Sequence, residues 1–232
     1  MATYVFVHGA FQGGWVWKKV ESILRDNRHE VYSPTLTGCG ERSHLLREDV
    51  DLHTYISDIG NFFYFENVRD VILVSNGYSG MVTSAVLQAM PQVARKILYI
   101  DAVIPRQGKS FLDLAGEGLS HVIDSHLRNN WLVKPWALLS FGITEPADRE
   151  WFEPRLVNFP LAAFTTQFPG KFDGTLFDRT FVHCRNGPDG ANWKTGHEAK
   201  RMGWDYCELE SGPFPMVTAP QELAALLMSK GD

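Results

Sequence analysis

The stretch LVSNGYSG, residues 73–80, lies at a point where the chain changes from an extended to a helical pattern. The strand-forming residues Val71, Ile72, Leu73 and Val74 lead into a glycine-containing turn, and a helical pattern begins near Met81. A short apolar run of β-branched and aliphatic residues is typical of a buried strand. The stretch therefore predicts a strand, a sharp turn and a helix in direct succession.

This layout matches the nucleophile elbow, whose pattern G-x-S-x-G has an attacking serine at its centre. Here residues 75–79 read Ser-Asn-Gly-Tyr-Ser, so Gly77 stands at the serine position. Glycine suits the positive φ of such a turn but has no nucleophilic atom. A shifted register centred on Ser79 would place the bulky Met81 where a small residue is needed, and Ser75 lies on the strand side. We therefore expect neither serine to replace the nucleophile.

Strand and helix patterns alternate along most of the chain, which predicts an α/β fold with a mostly parallel sheet and helices on both faces. Strand patterns cover residues 4–7, 30–32, 70–75, 96–100, 179–184 and 204–209. Helical patterns cover residues 15–26, 52–65 and 80–90. A last helix is predicted to begin at Thr218, where Gln221 three residues later completes a capping-box pattern.

Residues 106–177 interrupt this alternation. They are rich in Phe, Trp, Leu and Pro and are predicted to be helical without strands. An apolar, irregular insertion after a central strand is typical of a lid over a pocket. The alternative is a helical subdomain that only adds core. Residues 1–232 are thus predicted to form a single domain with 106–177 as its lid insertion.

Composition excludes several classes of protein. The 232 residues carry a net charge of −5 without a Lys/Arg cluster, so neither nucleic acid nor membrane is an expected partner. The start lacks a signal-peptide pattern and the three cysteines have no CxxC spacing, which predicts a cytoplasmic protein without disulfides. No metal-ligand or dinucleotide motif is apparent, so no metal and no cofactor are expected. These features are compatible with a homodimer.

Five blocks resemble a bacterial branch of the α/β-hydrolase superfamily, similar to small esterases, plant methylesterases and hydroxynitrile lyases. They are YVFVHGAFQGGWVWKKVESIL, SPTLTGCGERSHL, LVSNGYSGMV, KILYIDAVIP and MVTAPQELAALL, and they occur in the order typical of that branch. The resemblance covers nearly the whole chain and implies an α/β-hydrolase fold. A fold by itself does not determine the activity.

The resemblance also implies an oxyanion hole built from two backbone N–H groups. One would come from Phe11 or Ala10, in the loop that follows His8-Gly9, and the other from Tyr78 after the elbow centre. Backbone N–H donors are present whatever the side chain is. His8 is expected to brace this loop rather than to take part in chemistry.

The implied general base is missing as well. The resemblance places a histidine in a block similar to T-G-H-D-A-M-V-T-A-P, and here Pro213, followed by Phe214, stands at its position. Proline has no exchangeable proton. His183 and His197 lie elsewhere in the chain and are expected to be solvent or core histidines.

The acid of the triad has two candidate locations. Asp101 follows the strand after the elbow, and the alternative lies around residues 184–189. We choose Asp101, which without a histidine partner would be either a structural anion held by backbone N–H groups or a carboxylate reused as a base. Tyr78 and Asn76 complete the set of polar candidates for catalysis.

What remains is a predicted pocket with an oxyanion hole, aromatic walls and no nucleophile. The oxyanion and substrate-binding residues are predicted to be Ala10, Phe11, Gly77, Tyr78, Trp131, Trp136, Pro213 and Phe214, with Trp15 and Trp17 as further candidates for the lining. Such a cavity suits a small apolar or aromatic carbonyl compound.

Three functions are compatible with these features. The favoured one is a non-hydrolytic lyase, isomerase or cyclase that stabilises an oxyanion or enolate. The second is a ligand-binding pseudohydrolase without catalysis. The third is an atypical ester or lactone hydrolase that uses a bound water.

Overall fold

The buried run Val71–Asn76 forms strand β3 of a six-stranded sheet. All residues of β3 are buried, as expected for a strand covered on both faces. The structure is a computed structural model that describes residues 1–187 and 191–231. Each pairing in this sheet is parallel, which confirms the predicted α/β-hydrolase architecture.

The strands of the main sheet are β1 Thr3–Val7, β2 Glu30–Tyr32, β3 Val71–Asn76, β4 Ala94–Ile100, β8 Asp178–Cys184 and β9 Asp205–Leu209. They lie in the order β2-β1-β3-β4-β8-β9. The helices that flank it are α1 Lys18–Asp26, α2 Leu52–Phe65, α3 Ser79–Ala89, α8 Ala191–Arg201, α9 Pro215–Thr218 and α10 Pro220–Gly231. Helix α1 packs against α10, and α2 packs against α3. Among the described residues, none of the helices combines the length and the apolar character that a membrane span requires.

The insertion at 106–177 is not free of strands, so that part of the prediction was wrong. It contains helices α4 Phe111–Ala115, α5 Glu117–His126, α6 Pro146–Phe152 and α7 Leu161–Thr165. It also contains a small antiparallel sheet of strands β5 Leu127–Arg128, β6 Leu132–Val133 and β7 Phe159–Pro160. Strands of two residues are too short to show alternation, which explains why the sequence pattern missed them.

Contacts with α1 and with the loop after β1 hold the insertion on the main domain. Lys19 on α1 forms an ion pair with Asp148 on α6, at 2.6 Å between Nζ and Oδ1. The same ammonium group lies 5.2 Å from the centre of the Trp151 ring. The N–H of Val157 donates to the carbonyl of Phe11 at 2.9 Å, next to the predicted oxyanion loop. The insertion therefore contacts the loop that positions the candidate site.

The last helix does not begin at Thr218 as predicted. Thr218 ends the short helix α9, and α10 follows at Pro220. The hydroxyl of Thr218 donates to the carbonyl of Phe214 at 3.2 Å and lies 2.9 Å from the hydroxyl of Ser211. Because the hydroxyl bonds within the preceding turn, it stabilises the loop after β9 instead of capping α10.

Candidate active site

Gly77 forms the turn between β3 and α3 with a φ of +57°. This left-handed conformation allows the strand to reverse sharply into the helix, and glycine adopts it without steric cost. The Gly77 N–H donates to the Ile100 carbonyl at 3.4 Å, and its carbonyl accepts from the Val103 N–H at 3.0 Å. Gly77 is partly exposed, and no atom lies within 4 Å of the place where a Cβ would stand. The turn therefore leaves open space where an elbow would carry its nucleophile.

The backbone N–H groups of the predicted oxyanion donors are unpaired. In residues 1–187 and 191–231, no hydrogen bond is made by the backbone N–H of Ala10, Phe11 or Tyr78. Phe11 has a φ of +70°, an uncommon value for a residue with a side chain. Phe11 is fully buried, whereas Ala10 is partly exposed. Buried amide groups are nearly always paired, so unpaired ones are available to a ligand oxygen.

The serines beside the elbow have other roles. Ser79 Oγ donates to the Val7 carbonyl at 2.8 Å and accepts from the Asn76 N–H at 2.9 Å. Ser75 Oγ lies 2.7 Å from the hydroxyl of Thr83. Both serines have no exposed surface. Their hydroxyl groups therefore join β1, β3 and α3 within the core and do not face the open space at Gly77.

A serine–histidine hydrogen bond occurs outside the candidate site. Ser125 Oγ lies 2.8 Å from His126 Nδ1, but the two residues are consecutive at the exposed end of α5. Among the buried or half-buried histidines outside α5, His8 and His29 contact backbone groups and His183 contacts Asp101. None of these imidazole contacts brings a hydroxyl to the elbow.

The loop after β9 places Pro213 next to the strand that ends at the elbow. The Pro213 carbonyl accepts from Asn76 Nδ2 at 3.1 Å. The loop after β8 also reaches this point, because a Cβ on Gly187 would stand 3.7 Å from Pro213 Cδ. Asp189, in the alternative location for the acid, lies outside the described residues. Gly187, which has no carboxylate, therefore lies close to Pro213.

Asp101 does have a histidine partner, so the expectation that it lacks one was wrong. Its Oδ1 lies 3.1 Å from His183 Nδ1 and accepts from the Cys184 N–H at 3.3 Å. Ile100 and Val182 are register partners on β4 and β8, so the residues that follow them lie side by side. The hydrogen bond with Asp101 raises the pKa of His183 against the opposing effect of burial. Asp101 is held by a backbone N–H, as predicted for a structural anion, and by this imidazole.

The two other polar candidates are also engaged with the protein. Asn76 Nδ2 donates to the carbonyls of Ile100 and Pro213, at 3.0 and 3.1 Å. The Oδ1 of Asn76 is buried and has no partner within the described residues. The Tyr78 hydroxyl donates to the Ala163 carbonyl of α7 at 2.9 Å, and burial raises its pKa well above 10. Neither side chain is a free acid or base.

Aromatic side chains join the elbow to the insertion. The Tyr78 ring meets Phe159 and Phe164 edge to face, with ring centres 5.3 and 5.8 Å apart. Phe11 contacts the same two rings and, at 4.6 Å, the ring of Trp136. The insertion therefore covers both predicted oxyanion residues with an apolar layer, which lowers the local dielectric constant around their N–H groups.

The other residues predicted to line the pocket do not all lie at the elbow. Trp136 and Phe214 are partly buried, and Phe214 packs on Phe141 with ring centres 5.0 Å apart. Trp131 is also partly buried, and its carbonyl, just before β6, accepts from the Leu161 N–H at the start of α7. Trp17 is fully buried against Phe6 and belongs to the core. Trp15 packs on Trp151 and Phe152 instead of on the elbow.

His8 braces the oxyanion loop, as the sequence predicted. Its Nδ1–H donates to the Gly9 carbonyl at 2.8 Å, and its Nε2 accepts from the Leu36 N–H at 3.1 Å. This arrangement requires the neutral imidazole, and complete burial lowers the pKa of His8 from 6.5 to about 4. The ring therefore fixes the start of the loop without a charge.

The low pKa of His8 predicts a loss of stability in mild acid. Between pH 6.5 and 4 the unfolded chain binds a proton at His8 that the folded chain does not. The free energy of unfolding therefore decreases as the pH is lowered through this range. From pH 7 to pH 5 this amounts to about 2 kcal/mol. Urea denaturation at both pH values should show this loss for the wild type and a smaller one for His8→Asn, which does not titrate. Equal losses in both proteins would contradict the assignment.

No group of three or more His, Cys, Asp or Glu residues in the described part of the chain could hold a metal ion. The three cysteines are free thiols.

The comparisons with known proteins agree with this architecture. A family model described as the alpha/beta hydrolase family matches residues 4–226. The carbendazim hydrolyzing esterase of Nocardioides sp. (strain SG-4G) is 30% identical over 245 residues, which cover 100% of both chains. Methylesterase 10 of Arabidopsis thaliana is 30% identical over 253 residues, covering 97% of this chain and 90% of the relative.

Solved structures share the fold at lower identity. An extracellular alpha/beta-hydrolase from a Paenibacillus species has a TM-score of 0.82 at 18% identity, with 99% of each chain covered. The H243A variant of tomato methylketone synthase I, in complex with beta-ketoheptanoate, has a TM-score of 0.83 at 16% identity. This match covers 99% of the present chain and 97% of the synthase. At these identities the likeness concerns the fold alone.

Proposed function

The chain belongs to the alpha/beta hydrolase family, and from this premise we propose that it is a non-hydrolytic member without the Ser-His pair. It would bind an apolar carbonyl compound over Gly77 and stabilise an oxyanion or enolate of that compound. One observation carries the proposal: the elbow centre is a glycine with open space above it, beside unpaired backbone N–H groups. Such a site can stabilise negative charge on oxygen but cannot form an acyl-enzyme.

The contacts of the polar candidates favour a lyase over an isomerase or a cyclase. An isomerase or cyclase that acts through an enolate must first remove a proton from carbon, which requires a base at the site. Tyr78 and Asn76 donate to protein carbonyls, and the Asp101 carboxylate is engaged with His183. A lyase that cleaves a bond to carbon needs only to stabilise the electron pair that this bond leaves behind. It therefore requires no base at the site.

Loss of carbon dioxide from a 3-oxo acid is the simplest reaction of this type. The C–C bond to the carboxylate breaks, its electron pair forms an enolate whose oxygen would accept from the N–H groups of Phe11 or Ala10 and Tyr78, and water protonates the carbon. The beta-ketoheptanoate bound to tomato methylketone synthase I is such an acid. It is a suitable probe for this chain, although the synthase supplies only a fold-level likeness.

The test follows the conversion of beta-ketoheptanoate into 2-hexanone by gas chromatography. The wild type is expected to accelerate this reaction by about 10²-fold over buffer, the effect typical of an oxyanion donor. Gly77→Asn tolerates the positive φ but fills the open space, and it should abolish the acceleration. Gly203→Asn is the matched control, because Gly203 has a φ of +72° and no atom within 4 Å of its Cβ position. Equal acceleration by both variants would contradict the proposal.

The same contacts also favour a second candidate, the ligand-binding pseudohydrolase. If the pocket only binds, 2-hexanone and aromatic ketones should raise the melting temperature of the wild type but not of Gly77→Asn. Beta-ketoheptanoate would then decay at the buffer rate in all three proteins. This outcome would reject the lyase and support the ligand-binding pseudohydrolase, which binds its ligand without turning it over.

A further inference from the structure

The segment 100–103 surrounds the glycine of the elbow. The Ile100 carbonyl accepts from the Gly77 N–H at 3.4 Å and from Asn76 Nδ2 at 3.0 Å. On the other side, the Val103 N–H donates to the Gly77 carbonyl at 3.0 Å. Both polar backbone groups of Gly77 are thus bound by one short segment. The direction of the adjacent Tyr78 N–H therefore depends on the conformation of that segment.

Asp101 lies in the middle of this segment and has a φ of +42°. A residue with a side chain holds such a conformation only when its surroundings determine it. Here the Asp101 N–H donates to the Val182 carbonyl at 2.9 Å, and its carboxylate contacts His183 and the Cys184 N–H. Asp101 is 2% exposed, so the desolvated carboxylate needs these partners. The end of β8 therefore determines the turn that holds the elbow.

We propose that His183 is a positioning residue for the elbow, acting through Asp101, and that ligand turnover above Gly77 requires its Nδ1–H donor. The activity part of this inference rests on the proposed function, whereas the structural part does not. The imidazole fixes the carboxylate, the carboxylate fixes the left-handed turn at Asp101, and the turn fixes Gly77 through Ile100 and Val103. His183 itself does not need to touch the ligand.

The surroundings of His183 favour its protonated form. Glu208 is its register partner on β9, and the ring of Tyr206 lies 6.3 Å from the imidazole. Lys200 on α8 opposes protonation, while Asp101 and Glu208 favour it and raise the pKa of His183 above 6.5. The charge-assisted bond to Asp101 is complete below pH 6.5 and weakens as the pH rises through the raised pKa. The free energy of unfolding of the protein and the position of the elbow should therefore both change over this pH range.

Two substitutions separate positioning from other roles. His183→Leu removes the donor, whereas His183→Asn keeps an N–H donor near the place of Nδ1 but does not titrate. His44→Leu, which changes an exposed histidine, is the matched control. The first measurement is the backbone ¹H–¹⁵N resonance of Gly77 as a function of pH, which requires no substrate. The second is kcat and KM for beta-ketoheptanoate in samples that are equally folded by circular dichroism.

In the wild type and His44→Leu, the Gly77 amide shift should follow the titration of the His183 ring. In His183→Asn the shift should lose this pH dependence but stay near its wild-type value, and in His183→Leu it should move away. The kcat for beta-ketoheptanoate should fall at least about tenfold in His183→Leu and less than about threefold in His183→Asn.

Three results would overturn the inference. One is a Gly77 amide shift that does not respond to His183→Leu. Another is an equal loss of kcat in the Leu and Asn variants, which would make the imidazole a base instead of a positioning group. The third is unchanged kcat in His183→Leu. If the wild type does not act on the probe at all, the proposed lyase fails, and the Gly77 resonance still decides the structural part of the inference.

Discussion

The wild-type chain is expected to remain unlabelled by a fluorophosphonate probe. Such a probe reacts with a serine that a base has activated, and the two serines that flank the elbow, Ser75 and Ser79, are bonded inside the core. Hydrolysis of nitrophenyl acetate should stay close to the buffer rate, because loss of a complete triad typically costs on the order of 10⁶-fold in turnover. Labelling of the wild type would reveal an active serine and would end the non-hydrolytic proposal.

The complementary expectation is that three substitutions create a hydrolase. The variant Gly77→Ser/Gly187→Asp/Pro213→His places a hydroxyl in the open space at the elbow and a carboxylate beside the new imidazole. The Cβ of residue 187 would stand 3.7 Å from Pro213 Cδ, and Gly187 has no left-handed φ that would disfavour aspartate. We expect fluorophosphonate labelling and a gain of about 10²-fold in nitrophenyl acetate hydrolysis, a small part of what a complete triad supplies.

The matched control is Gly77→Ala/Gly187→Asp/Pro213→His, which has the same loops and lacks only the hydroxyl. It should show neither labelling nor the gain. A gain of equal size in the control would assign hydrolysis to the imidazole or to a bound water. Ester turnover by the unlabelled wild type, abolished in Asp101→Asn, would instead support the third function, hydrolysis by a bound water.

The fold and the elbow were predictable because their signals are local. The apolar run 71–74, the glycine after it and the helical pattern that follows all lie within one short stretch. The same is true of the His8-Gly9 loop, whose backbone N–H groups exist whatever the side chains are. The strand, turn and helix of the elbow were predicted from neighbouring residues and lie where the sequence placed them. The oxyanion role of the loop was implied by the resemblance and stays a prediction.

The contacts of the polar candidates for catalysis were not predictable, because they join distant parts of the chain. Asp101 meets His183 only because β4 and β8 are neighbours in register, and strand order cannot be read from either segment alone. The bond from Tyr78 to Ala163 depends on how the insertion folds back over the elbow. A sequence pattern identifies Asp101 and Tyr78 as polar candidates but not the partners that engage them.

Gly80→Ala is expected to lower the free energy of unfolding by about 3 kcal/mol, at the upper end of the usual cost of overpacking. Gly80 lies in the first turn of α3, and a Cβ there would stand 2.0 Å from the Val103 carbonyl oxygen. The obstacle is backbone, so it cannot rotate away as a side chain would. Movement of Val103 would also disturb its hydrogen bond to Gly77. The substitution should therefore weaken the elbow together with the fold.

Gly60→Ala provides the opposite expectation in the neighbouring helix α2. No atom lies within 4 Å of a Cβ at Gly60, and alanine restricts the unfolded chain more than glycine does, so stability should rise by about 0.5–1 kcal/mol. Urea denaturation of both variants compares the same chemical change in two helices that pack on each other. A difference of less than about 1 kcal/mol between them would mean that α3 does not approach Val103 as described. Because that close approach sets the position of Gly77, the comparison tests the geometry of the candidate site without any ligand.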